Sequence, residues 1–416
     1  MLPSGGNPTP GVNAISEQLR VAWGVPTREQ LLDQTVAGYL QPSHTLLDAG
    51  CGDTLALLAE YGTHAGFAVG VDVVRPSQVA PPGIAVAMGD PAGISPELTA
   101  KVLALDEVRA AARLLVVGDR RVFDEGARIA GRKPDIKTVA PDPMVTPDDR
   151  GPIFIDFANL DPASISRGVT ARRGGEFALE NYRYALGLAR DGRADAVCFT
   201  PFNKKAMRLA RPTYDDEIAF SAEVVGLEGS ASEFNILDKL WNARVTSHIS
   251  LAEVPARLTK ERISRALSLT NACMRSAGFA HPRIAVAGLN PHAGDGGNFG
   301  REEIDVIAPV VEAGKRDGIC VEGPFPADTV FLRAKNGAFD AVLTMYHDQG
   351  QIAMKLMGFD RGVTLLGGFL FPICTPAHGT AYDIAGQGIA SVGATRAALL
   401  LAADMAMRAE RASLKQ

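Results

Sequence analysis

The chain has 416 residues, of which 46% are hydrophobic and 21% charged, with a formal net charge of −5. That length exceeds one ordinary domain, and the composition is that of a globular protein with a large core. The acidic balance gives no basic footprint for nucleic acid, and no apolar run reaches the ~20 residues that cross a bilayer, so neither nucleic acid nor membrane is an expected partner.

The first stretch, MLPSGGNPTPGVN, has neither a basic start nor an apolar core, so no secretion signal is expected. Residues 1–15 are rich in Gly, Pro, Ser and Asn and read as disordered. The cysteines stand at positions 51, 198, 273, 320 and 374, an odd number without a CxxC. They suit reduced thiols in the cytoplasm better than a disulfide framework or a thiolate zinc cluster. Next, HTLLDAGCGDTLALLAEYGTHAGFAVGVDVVRP (44–76) reads as a strand, a glycine turn, a short helix and a second strand ending at Asp72. It resembles the opening unit of a class I S-adenosylmethionine-dependent methyltransferase, where such an acid binds ribose hydroxyls. The resemblance then stops, and RPSQVAPPG (75–83) reads as a linker. One strand-helix-strand unit cannot bury both faces of its sheet, so residues 1–80 are expected to hold a truncated fragment, with a second unit over 81–416. A working methyltransferase is the rival reading.

A second start follows in GIAVAMGDPAGISPELTAKVLAL (83–105), a strand, a Gly/Pro turn and a helix with Pro96 and Glu97 at its beginning. Apolar runs at 112–119, 151–157, 194–201, 283–290 and 339–348 end in polar or small residues. Helical stretches are expected at 176–191, 252–277, 303–317 and 392–410. This alternation predicts an α/β fold with a largely parallel sheet, and ligands bind such sheets at the carboxyl ends of strands. Asp90, Lys204, His248, Asn290, His292 and His347 all fall there.

Of seven histidines, His248, His292 and His347 each follow a β-rich run. Imidazole is the commonest neutral metal ligand, and three would leave coordination positions open for a substrate. A capping or hydrogen-bonded core role is the alternative, and spacing alone leaves both standing. In PAHGTAYDIAGQGIAS (376–391), small residues around His378, Gly379, Gly386 and Gly388 would let backbone approach a flat or phosphorylated ligand. Asp383 could accept from ribose hydroxyls; an ordinary loop is the plainer account. Glu302, Glu303 and Asp305 read as a solvated helix start favoured by the dipole.

Six segments, in order, resemble the 4-hydroxythreonine-4-phosphate dehydrogenase (PdxA) family of vitamin B6 synthesis: AMGDPAGISPE (87–97), TPFNKKAM (200–207), LNPHAGDGGNFGREEID (289–305), GPFPADTVF (323–331), DAVLTMYHDQGQIAMK (340–355) and HGTAYDIAGQG (378–388). The resemblance spans 84 to about 410 and implies an isocitrate/isopropylmalate dehydrogenase-like fold, two α/β subdomains with a cleft between them. It also implies a homodimer with its site at the subunit interface. By the same resemblance, His248, His292 and His347 bind a divalent metal (Zn, Mg, Mn or Co), and Lys204 and Asp328 are the catalytic lysine and aspartate. Lys355 contacts substrate, and a secondary alcohol is oxidised by a nicotinamide cofactor, with possible loss of carbon dioxide. The turn carrying His378, Gly379, Asp383 and Gly386 is similar to the adenosine-binding turn of isopropylmalate dehydrogenases. An aspartate there would repel a 2′-phosphate, which implies NAD rather than NADP.

The departures lie at the substrate end. Where the family reads Gly-His-Thr-Glu, this chain reads Tyr214, Asp215, Asp216 and Glu217; Thr364 and Ile373 stand where the family has Asn and Arg. Losing the arginine removes a bidentate anion grip, and two carboxylates would oppose an anion by roughly 4 kcal/mol each at 4 Å. Family members acting on cis-dihydrodiols of aromatic acids also lack that arginine, whereas those acting on phosphorylated sugar acids keep it. The expected activity is metal- and NAD-dependent oxidation of a hydroxy acid, with an unphosphorylated substrate, a dihydrodiol or sugar acid, as the alternative. The other rival is a regulatory paralogue without activity.

Overall fold

Strands rich in Val, Ile and Ala, buried on both faces, build a sheet that needs helices on either side. In β3 (Gly83–Ala87) every residue is buried. Alternate residues diverge: Ile84 and Val86 join one apolar cluster, Ala85 and Ala87 another. The computed structural model describes residues 45–49, 67–71, 80–142, 144–148 and 151–413. The chain divides into two compact units, residues 1–80 and 81–416.

In the first unit, β1 (Thr45–Ala49) and β2 (Phe67–Val71) pair in parallel, Thr45 opposite Phe67. The helix expected between them, the glycine turn and Asp72 lie outside the described residues.

In the second unit the strands are β3, β4 (Arg113–Gly118), β5 (Lys137–Val139), β6 (Ile153–Asp156), β7 (Ala196–Phe199), β8 (Ser232–Leu237) and β9 (Leu240–Arg244). They continue with β10 (Ile284–Ala287), β11 (Val321–Phe325), β12 (Ala341–Thr344), β13 (Val363–Gly367) and β14 (Ile373–Pro376). They form one sheet ordered β11-β10-β12-β9-β8-β13-β14-β7-β3-β4-β6-β5. Its two wings are parallel, but β9-β8, β8-β13 and β13-β14 pair antiparallel. The sequence reading expects parallel pairing to prevail and misses this central seam. The reason is connector length: Asp238 and Lys239 alone join β8 to β9, and residues 368–372 join β13 to β14. Links this short can only reverse the chain, whereas parallel strands need a long crossover.

The helices cover both faces. Tyr182, Ala185 and Leu186 of the helix Arg172–Arg190 enter one cluster; Leu399, Ala402 and Ala406 of the helix Gly393–Ser413 enter the other. The stretch 252–277 breaks at Leu258 and Thr259, where the Thr259 hydroxyl caps Arg262 N–H and opens the helix Lys260–Ser276. The stretch 303–317 begins as a π turn, Glu303–Ile307, before the helix Ala308–Arg316.

Candidate functional site

The site forms where the antiparallel seam meets the carboxyl ends of β7 and β14. A cavity of about 380 Å³ is lined there by Lys204, Asp216, Glu217, Glu233, His248, Lys355, Thr364, His378 and Gly379, together with apolar Phe199, Phe202, Ile218 and Leu366. Six sequence-predicted site residues thus share one cavity with His248. Asp215, Asp328, Asp383, Gly386, His292 and His347 do not line it.

Each wall has a local cause. Asn203 caps the helix Lys204–Ala210 by accepting from Ala206 N–H at 3.0 Å, which sets Lys204 at the rim. Its ammonium lies 3.0 Å from Glu217 Oε2. Asp216, expected to meet substrate, also caps the helix Glu217–Val225 through Ala219 N–H at 2.8 Å. Asp215 is exposed. Lys355 projects from the helix His347–Gly358 and has no partner among the described residues.

The three histidines differ in placement. The rings of His248 and His347 lie 5.7 Å apart, centre to centre. His347 Nδ1 bonds Asp348 at 2.6 Å, leaving Nε2 free. His292 instead sits beside Phe299, with ring centres 6.2 Å apart. Among the described residues no group of three His, Cys, Asp or Glu side chains is gathered closely enough to hold a metal. Both His248 (φ 54°) and His292 (φ 55°) occupy the left-handed region. Non-glycine residues are held there at a cost of order 1–3 kcal/mol, typically at ligand clamps. Imidazole is an ordinary donor to divalent cations, but one chain alone does not gather three of these rings.

The His292 loop corrects the expectation for one of its three acids, while Asp305 is exposed as expected. Glu303 is buried rather than solvated: its Oε1 accepts from Leu289 N–H and Asn290 N–H, both at 2.7 Å, and its Oε2 from Asn290 Nδ2 at 3.0 Å. It fastens the loop from within. Residues 292–296 all have positive φ, so Gly294 and Gly296 relieve strain that His292, Ala293 and Asp295 carry.

The turn at 378–388 lies against the helix Ser95–Leu103. Buried Glu97 accepts from Ala390 N–H at 2.8 Å, while Lys101 donates to Gly388 O and Ala390 O at 2.9 and 2.7 Å. Gly386 has φ 82°, and a Cβ there would meet Arg167 at 2.8 Å, so the position requires glycine. Asp383 is exposed. Burial lowers the His378 pKa, and its Nδ1–H faces Gly379 O at 3.0 Å, so the ring is a neutral donor. A separate groove of about 360 Å³, lined by Gly93, Glu97, Arg167 and Gly386 among others, runs beside this turn.

Sequence reading missed two networks. Tyr382 donates to buried Asp90 and accepts from Asn203 Nδ2 at 2.7 Å, tying the turn to the Lys204 helix. Burial raises the Asp90 pKa, partly offset by the Tyr382 bond. The second is the polar set Glu233, Asn235, Arg244 and Gln351 on the seam. Strand register, invisible before pairing is known, is its only signal.

These features define an α/β protein of the isocitrate/isopropylmalate dehydrogenase-like fold. Residues 110–402 match the family described as pyridoxal phosphate biosynthetic protein PdxA. A Rhizobium meliloti (strain 1021) protein, provisionally named 4-hydroxythreonine-4-phosphate dehydrogenase 2, is 61% identical over 327 residues, 79% of this chain and 94% of the relative. The crystal structure of a Klebsiella pneumoniae 4-hydroxythreonine-4-phosphate dehydrogenase is similar with a TM-score of 0.68 and 35% identity, covering 79% of this chain and 99% of that one. A terephthalate 1,2-cis-dihydrodiol dehydrogenase from Burkholderia xenovorans LB400 is similar with a TM-score of 0.55 and 30% identity, covering 78% and 98%. The chain belongs to the PdxA family, whose members named here are dehydrogenases, and the coarse activity that follows is oxidoreduction at a CH–OH group.

Proposed function

We propose that the protein is a divalent-metal- and NAD-dependent dehydrogenase that oxidises the secondary alcohol of a hydroxy acid, acting as a homodimer in the cytoplasm. The observation that carries this reading is the cavity in which Lys204, paired with Glu217, lies near His248 and unpaired Lys355.

A divalent cation held by His248, His292 and His347 would supply the charge that makes the substrate hydroxyl acidic. NAD, seated with its ribose toward Asp383 and its backbone contacts at Gly379 and Gly386, would accept the hydride. Asp383 would repel a 2′-phosphate, which favours NAD over NADP. The chain's own residues do the rest. Lys355 binds the substrate carboxylate. Lys204 relays the hydroxyl proton: its ammonium passes a proton to Glu217, 3.0 Å away, and the amine so formed takes the proton of the substrate hydroxyl. Phe199, Phe202 and Ile218 reduce water access and strengthen these charges. Asp328, exposed and absent from this cavity, would act from the partner subunit.

Support for the homodimer comes from exposed apolar side chains: Leu251, Phe299, Leu332, Ile352 and Leu356 are each 51–84% exposed and cluster in sequence around His248, His292, Asp328, His347 and Lys355. A homodimer built over the site would cover such side chains. Among the described residues no helix is long and apolar enough to cross a membrane.

The test is NADH formation from a panel of 3-hydroxy acids and dihydrodiols with added Mg²⁺, Mn²⁺ or Zn²⁺, against NADP and a chelator control. Metal-dependent NADH formation is expected. Turnover that survives chelation, or a preference for NADP, would sink this assignment.

A further inference from the structure

We infer that the sheet wall of the cavity is a subsite for an uncharged, hydroxyl-bearing end of the substrate, with Glu233, oriented by Arg244, as the specificity-determining acceptor. This rests on the reading of the cavity as a hydroxy-acid site.

Register places the groups. Glu233 lies opposite Leu366, and Leu366 opposite Ile373; one step along, Asn235 lies opposite Thr364 and Asn242, and Thr364 opposite Thr375. Side chains two apart share a face, so Glu233, Asn235, Thr364, Leu366, Ile373, Thr375 and Arg244 belong to one surface. The cavity is lined from that surface by Glu233, Thr364, Leu366 and Thr375. Where the family resemblance leads one to expect an anion-gripping arginine, Ile373 is fully buried. The guanidinium on this face comes instead from Arg244, on β9.

Arg244 does not line the cavity, and one of its nitrogens is committed to this face. Its Nη2 lies 2.9 Å from Glu233 Oε1 and donates to Asn235 Oδ1 at 2.6 Å. Its side chain is only 2% exposed, and its Nε and Nη1 are buried without partners. Asn235 adds a bond from Gln351 Nε2 at 2.6 Å and donates to Thr364 Oγ1 at 3.2 Å. The network therefore fixes one oxygen of Glu233 and leaves Oε2 without a hydrogen bond from the described residues. Thr364, already an acceptor, keeps its own O–H to donate. A carboxylate acceptor beside a hydroxyl donor matches an alcohol, which both donates and accepts. A phosphate dianion can only accept and would face Glu233 as a like charge.

The other charged groups in the cavity agree. Lys204 is matched by Glu217 and Arg244 by Glu233, while Asp216 adds a negative charge. Among the described side chains of the lining, Lys355 is the one unmatched cation apart from the divalent cation proposed at the histidines, and it is the group that would take the carboxylate of a hydroxy acid.

The experiment compares matched pairs, D-threonate with D-threonate 4-phosphate and 4-hydroxythreonine with its 4-phosphate, by calorimetric binding to the Mg²⁺-loaded full-length protein. The unphosphorylated member of at least one pair should bind tenfold or more tighter. Glu233→Gln keeps the shape, removes the repelling charge and frees Arg244; it should shift the ratio tenfold or more toward the phosphate ester. Thr364→Val should weaken the unphosphorylated ligand alone, which guards against loss of fold in the first variant. Tighter binding of the esters by the native protein, no binding of either member, or a ratio unmoved by Glu233→Gln overturns the subsite. NADH formation is read separately: preference without turnover sinks the dehydrogenase reading and leaves the subsite standing.

Discussion

Lys204 shows how a single residue type acquires a role from its neighbours. An isolated surface lysine is a solvated point charge. Here Asn203 fixes the backbone from which it springs, and Glu217 holds its ammonium at 3.0 Å beside an aromatic wall. Replacing Lys204 by Met keeps the stem and removes the proton carrier. General acid–base groups contribute roughly 10²–10⁴-fold, so kcat should fall by that order while metal affinity holds. Steady-state kinetics with a metal titration checks this, and a Lys204→Met enzyme within threefold of native would remove Lys204 from the proton path. At this scale the sequence is readable where conformation sits in a local motif, as with the glycines of NPHAGDGG, which take positive φ in the loop. It was unreadable where meaning depends on pairing. Glu233 and Arg244 are eleven positions apart and gain their relation only when β8 and β9 close a two-residue turn. Glu303 likewise looked like a helix-start acid until burial showed it bonded to three donors.

Helices and strands were legible where periodicity and caps agreed, as for β3, β4, β12 and the C-terminal helix. The seam strands β13 and β14 were not, because VTLLG and ICTP carry no strong alternation and the connecting GFLFP lacks a hairpin signature. Asp119 shows what one buried acid does for an element. It caps the helix Arg120–Ile129 through Arg121 N–H at 2.9 Å, accepts from Leu160 N–H at 2.8 Å, and pairs with the Arg121 guanidinium. Burial alone would raise its pKa, but the bonds from Arg121 and Leu160 outweigh it and hold the group below the ordinary 3.8. A depressed acid stabilises the fold above its unfolded value, and that contribution is lost as pH falls through the folded one. Asp119→Asn should thus cost about 1–3 kcal/mol at neutral pH. The deficit should shrink only as pH falls through the depressed folded value, below 3.8, where the native carboxylate becomes protonated. Urea unfolding at pH 7 and at stepwise lower pH down to about 2 measures both; a deficit that stays constant across that range would show that the charge is not what stabilises this corner.

The molecule as a whole poses a question of completeness. One chain brings His248 and His347 within 5.7 Å of each other, while His292 stands on a separate strained loop beside exposed Phe299. A two-fold dimer presents the same patch twice, so a residue that reaches out of one subunit is met by the reciprocal residue of the other. If His292 completes the partner's metal site, His248→Ala and His292→Ala homodimers should both be inactive for different reasons. Their mixed dimer would hold one site with both defects and one with none. Random reassociation makes half of the dimers mixed, each with one of two sites intact, so about a quarter of native activity should return. The measurement is NADH formation after the two variants are co-expressed with different tags and the mixed dimer is isolated, where half of native activity per dimer is expected. A mixed dimer as inactive as its parents would place all three histidines in one chain. The loop at 291–297 would then have to move to bring His292 to the other two.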